Sequence, residues 1–148
     1  MSMFSMLEIS GSALTAERQR AEVTAANLAN ANTTRTDGGG PYRRKEVVFA
    51  SPGNLTFRLA LNHVGGLPGP MLPAVRVARV LEDPAPPLMR YEPGHPDANK
   101  EGFVAYPAIN PIQEMTDLMG AVRAYQLNAS AVNSSKQLLQ QALQILTG

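Results

Sequence analysis

All 12 prolines of this 148-residue chain lie between Pro41 and Pro111, and both flanks are free of them. Proline lacks a backbone donor and breaks helices, so the flanks can be long helices while the middle cannot. The chain therefore divides into an N-terminal helix over residues 1–32, a turn-rich middle over 33–110 and a C-terminal helix over 111–148. The fold class this predicts is α+β: two long terminal helices pairing as an antiparallel coiled coil, with a small β-rich domain inserted between them.

The first flank starts with Ser5-Met6-Leu7-Glu8, where Ser5 and Glu8 match a capping box. Its apolar stripe runs through Phe4, Leu7, Leu14, Ala21, Ala25 and Leu28. Small residues on that stripe would let another backbone approach closely. The run closes on Asn-rich residues 26–32, and Asn tolerates the left-handed conformation that often ends helices. In the last flank, Asn110-Pro111-Ile112-Gln113 supplies a cap, a proline suited to the first helical position and a Gln at the capping-box site. Met115, Leu118, Val122, Tyr125, Ala129, Val132, Lys136, Leu139, Leu143 and Leu146 then step by three and four, all but Lys136 apolar. A second row with Met119, Leu138, Ala142 and Ile145 widens the stripe. At about 1.5 Å per residue such a helix is roughly 55 Å long, more than the first flank can cover. Its apolar face thus calls for another subunit as well.

Lys136 is the one charge in this seam, and an unpaired buried charge is expensive. With Leu146 set opposite Ser5, Lys136 faces Thr15 and the nearest acid is Glu17. The spacing predicts a Glu17–Lys136 ion pair within one subunit. In the middle, strands are expected at 46–49, 55–61, 74–81, 88–91 and 102–106, with loops at 37–41, 65–70 and 83–87.

The chemistry of catalysis is missing from these patterns. His63 and His95 stand apart in loops beside Gly or Pro, without a third ligand at metal-binding spacing. Asp37-Gly38-Gly39-Gly40 leads into Pro41 and lacks the Lys-Ser/Thr of a phosphate loop. With no Cys there is neither a disulfide nor a thiolate nucleophile. The formal net charge is +1, and the single basic run Arg43-Arg44-Lys45 is followed by Glu46, which argues against nucleic acid as a partner. No cofactor, metal or small-molecule substrate is expected. Residues 1–8 lack the basic and apolar regions of a cleaved signal, and no window is apolar enough to span a membrane.

Gly11-Ser12-Ala13-Leu14 and Ala26-Asn27-Leu28-Ala29-Asn30-Ala31-Asn32-Thr33 resemble the N-terminal signature of the bacterial flagellar rod and hook family, centred on Asn27, Leu28, Ala29 and Asn30. Gly40-Pro41-Tyr42-Arg43-Arg44-Lys45, Tyr91-Glu92-Pro93-Gly94-His95-Pro96-Asp97-Ala98 and Arg123-Ala124-Tyr125-Gln126 resemble its proximal-rod members. Ala108 stands where that pattern has Asn, and Phe103 where it has Tyr. The resemblance implies a structural protein exported by the flagellar type III apparatus and assembled helically in the basal body. It further implies an inner tube of terminal helices around the export channel. The implied partners are copies of the chain itself, the other proximal rod proteins, the adaptor at the rod base and the distal rod.

Overall fold

A computed structural model describes residues 3–51 and 74–147. The strand expected at 55–61, the loop at 65–70 and His63 lie outside the described residues. The element order is α1 (Met3–Ala29), β1 (Lys45–Ala50), β2 (Arg76–Glu82), β3 (Leu88–Tyr91), β4 (Phe103–Tyr106) and α2 (Pro111–Thr147).

Helix α2 starts where the cap dictates. The Asn110 side-chain oxygen accepts from the Ile112 amide at 3.1 Å, and its backbone carbonyl accepts from the Glu114 amide at 3.1 Å. Helix α1 begins at Met3, two residues ahead of the expected Ser5 cap. It also ends differently from expectation, since no non-glycine residue has positive φ among those described. The Asn30 side chain instead donates to the Ala26 carbonyl at 2.8 Å, as does its own amide at 3.1 Å. Side-chain satisfaction of that carbonyl replaces the left-handed turn.

The middle holds two antiparallel two-stranded ladders, β1–β2 and β3–β4, and not one sheet. The proline-rich stretch 83–87 between them offers few amide donors, which prevents β2 from continuing into the second ladder. In the first ladder the register shifts between Val48 and Phe49, with Val48 opposite Arg79 and Phe49 opposite Val77. Ala78 is the extra residue of this bulge. The second ladder is closed by the segment 92–102, where the Asn99 side chain accepts from the amides of Glu101 and Phe103, both at 2.9 Å. Gly102 takes φ +81° beneath the Tyr91 ring. Tyr91 and Phe103 meet edge to face at 5.3 Å between centroids. Asp97 ties this turn back to the end of α1, accepting from Thr34 at 2.7 Å and pairing with Arg35 at 3.7 Å.

Among the described residues, the buried apolar set is Ala16, Ala31, Val104, Ile109 and Ala121, joined by buried Thr24, Asn27, Glu114 and Ser135. Such a core is small and half polar. Two long helices rest on it.

Candidate assembly surface

The antiparallel pairing of α1 and α2 is fixed by a buried polar cluster near the end of α1 and the start of α2. Asn27, 1% exposed, donates from Nδ2 to the Lys45 carbonyl at 2.8 Å and to Glu114 Oε2 at 3.1 Å. Its Oδ1 accepts from the Lys45 amide at 2.9 Å and the Tyr42 hydroxyl at 3.2 Å. Glu114, 2% exposed, accepts at Oε1 from Arg44 Nε at 2.7 Å, and Arg44 also pairs with Glu46. Burial works against the Arg44 charge, but hydrogen bonds from Glu114 and Glu46 outweigh it and hold its pKa above the usual arginine value. Burial raises the Tyr42 phenol pKa, reinforced by the negative charges of Glu82 and Glu114. Asn27 thus joins α1, the entry to β1 and α2 through one amide group.

This cluster sets a register different from the one expected. With Asn27 opposite Glu114, Lys136 falls roughly three helical turns from Glu17. The structure does not bring the expected ion pair together. Glu17 has Arg20 at 3.7 Å, and Lys136 is exposed.

The contact line also lies one residue away from the apolar seam. On α2 its centre is Glu114, Ala121, Asn128 and Ser135, all small or polar; Glu114, Ala121 and Ser135 are buried and Asn128 is partly so. Leu118, Ala129, Val132 and Leu139 are half-buried beside it, while Met115, Val122, Tyr125, Lys136 and Leu143 are exposed. The Leu146 side chain is outside the described set. On α1, Leu7, Leu14, Ala21 and Leu28 are half-buried and Ala25 is exposed, whereas Ala16, Thr24 and Asn27 are buried. Of the signature residues 27–30, Asn27 is buried, Leu28 and Asn30 are half-buried and Ala29 is exposed.

Met115, Val122, Lys136 and Leu143 each follow a residue of the α2 centre line by one, which is about 100° around the helix. Leu7, Leu14, Ala21 and Leu28 stand in the same relation to the row of Asn27 on α1. In an antiparallel pair, rows displaced in the same sense fall on the same side. The two helices therefore share one apolar side. Strands β1 and β2 occupy the opposite one: Val75 donates to Ser12 at 3.1 Å, and a groove there joins Arg20 and Val23 to Val47, Phe49, Gln113 and Asp117. Among the described residues the apolar side carries no cover, with Ile112 77%, Met115 53% and Met119 64% exposed.

The sequence reading missed Glu114, Arg44 and Tyr42. A signal for Glu114 existed, since it opens the row Glu114–Ala121–Asn128–Ser135 of small and polar residues at heptad spacing. His95, in the turn after β3, accepts at Nδ1 from the Asp97 amide at 3.1 Å. No group of three or more His, Cys, Asp or Glu placed to hold a metal occurs among the described residues.

Residues 7–35 match the family model described as flagella basal body rod protein, and residues 100–145 match the one described as flagellar basal body rod FlgEFG protein C-terminal. The Bacillus subtilis (strain 168) flagellar basal-body rod protein FlgC is 40% identical over 149 residues, covering 98% of this chain and 99% of its own. The protein of that name from Borreliella burgdorferi is 37% identical over 161 residues, covering 100% of both chains. The one from Escherichia coli O6:H1 is 38% identical over 143 residues, covering 97% of both.

Proposed function

The chain belongs to the FlgC family of flagellar basal-body rod proteins, and on that footing we propose that it is a structural subunit of the proximal rod, not an enzyme. It resides in the flagellar basal body and is exported by the flagellar type III apparatus without a cleaved signal. Residues 1–32 and 111–148 form the inner-tube domain around the export channel, and residues 33–110 form the outer insert. The assembled subunits make a drive shaft that transmits torque across the periplasm. Its neighbours are copies of itself, the other proximal rod proteins, the adaptor at the rod base and the distal rod.

The observation that carries this reading is the uncovered apolar side of the α1–α2 pair, with its Leu7–Leu14–Ala21–Leu28 row and the larger exposed residues of α2. Burying apolar surface contributes roughly 25 cal/mol per Å², so covering this side by neighbours drives assembly. The β insert lies on the other side and does not obstruct it. The long seam residues, including Leu139 and Leu143, act in contacts between subunits on this reading.

The test is made in cells of the source organism. Deleting the chain should abolish swimming and leave basal bodies without a rod beyond its base, and labelled copies should be recovered in isolated basal bodies. Normal rods in the deletion strain would overturn the assignment.

A further inference from the structure

A second apolar patch lies on α2, on the side that the β insert occupies but beyond its reach. Described contacts of β1 and β2 with α1 fall between Ser12 and Asn27, whose α2 partners end near residue 129 in the Asn27–Glu114 register. Past that point Leu127 is 67%, Leu138 54% and Ile145 82% exposed. Residues 124–148 contain no charge except Lys136, which lies on the other side.

The pair of helices thus carries two uncharged aliphatic patches on opposite flanks, at opposite ends. Resting on the rod-subunit reading, we infer that these patches bind each other between successive copies: Met115 and Val122 of one copy receive Leu138 and Ile145 of the next. Each pair is spaced by one heptad, so a single displacement of about 35 Å along the helix axis aligns both. Each patch exposes on the order of 500 Å². Their union removes on the order of 1,000 Å² in total, which is where specific interfaces begin. A two-fold dimer would use one patch twice and leave the other in water. Joining unlike patches satisfies both, and it propagates instead of closing as a dimer.

The chain has no cysteine, so introduced ones report cleanly. Met115→Cys and Leu138→Cys copies are expressed separately and together in cells lacking the native chain, then oxidised, and basal bodies are isolated. Disulfide-linked dimers are expected in the mixed strain only. Dimers in Met115→Cys cells alone would mean a two-fold contact and overturn the inference. Absence of dimers in mixed basal bodies that contain both variants would also overturn it, while leaving the rod assignment intact. Failure of the unmodified chain to enter basal bodies would instead strike the rod assignment itself. A Val122→Cys and Ile145→Cys mixture repeats the test at the other end of the contact and decides it if the first pair does not assemble.

Discussion

Asn27 uses both amide hydrogens and both lone pairs in the protein interior, bonding Lys45 twice, Tyr42 once and Glu114 once. No other side chain of its size can do this, because the position needs two donors and two acceptors on one planar group. Asn27→Asp keeps the shape but turns lone pairs toward the Lys45 carbonyl and the Glu114 carboxylate. It should cost about 2–4 kcal/mol, read as a lower urea midpoint of the isolated chain at neutral pH. An unchanged midpoint would show that the cluster does not hold the helices together. Tyr42 gives the same cluster an alkaline sensitivity. Its folded pKa is raised, so the folded state holds the phenolic proton more tightly than the unfolded chain does. The resulting stability is present below the ordinary phenol value near about 10 and is lost as pH rises through the folded value. Between pH 9 and pH 11 on this approximate scale, wild type should lose more stability than Tyr42→Phe. An equal loss in the two proteins would remove Tyr42 from the account.

The limits of α2 and the approximate positions of the four described strands were legible in the sequence, because caps, prolines and alternating residues act locally. The helix contact line was not. Periodicity singles out the most apolar row, whereas close helix approach selects the row of small residues beside it, Ala16 on α1 and Ala121 on α2, and the polar cluster then locks the register. The contrast can be measured. Ala121 is 0% exposed, so Ala121→Leu overpacks the pair and should destabilise the isolated chain by about 1–3 kcal/mol. Met115→Glu or Val122→Glu, at exposed positions, should change that stability by less than about 0.5 kcal/mol yet prevent rod formation after export. Normal rods in both glutamate variants would show that this side faces solvent in the assembly. The β3–β4 ladder hides a second contextual requirement. At Gly102, with φ +81°, an added Cβ would stand 2.9 Å from the Tyr91 ring and 3.2 Å from Pro93 Cβ. Gly102→Ala should therefore cost at least about 1 kcal/mol and displace the Tyr91 ring from Phe103, seen as changed tyrosine shifts in the NMR spectrum. Retention of wild-type shifts and stability would mean that the turn relaxes freely.

At the scale of the whole molecule, stability is concentrated at one end of the helix pair. Asn27, Glu114, Val104, Ile109 and Ala31 are all buried there, and the two ladders attach there as well. Toward the other end the interface narrows to Ser135 and half-buried Leu139, and α2 runs past the start of α1 in the Asn27–Glu114 register. An isolated helical stretch of this length is marginal in water, and local opening free energies follow the density of buried contacts. The free chain should then show a gradient of amide exchange along α2. Protection should be highest in the turns around Glu114 and Ala121, and fall steadily through residues 130–147. In assembled rods the same segment should be protected throughout, because neighbouring subunits supply the cover that the single chain lacks. The comparison is hydrogen exchange read by mass spectrometry on verified monomer and on isolated basal bodies. Uniform strong protection along α2 in the monomer would mean that the helices stabilise each other without neighbours. Fast exchange over 130–147 persisting in the rod would mean that this end of the helix remains uncovered after assembly. The expected pattern, with a firm end anchored by the polar cluster and a far end made firm only by assembly, suits a chain that must first pass through a channel and then resist twist.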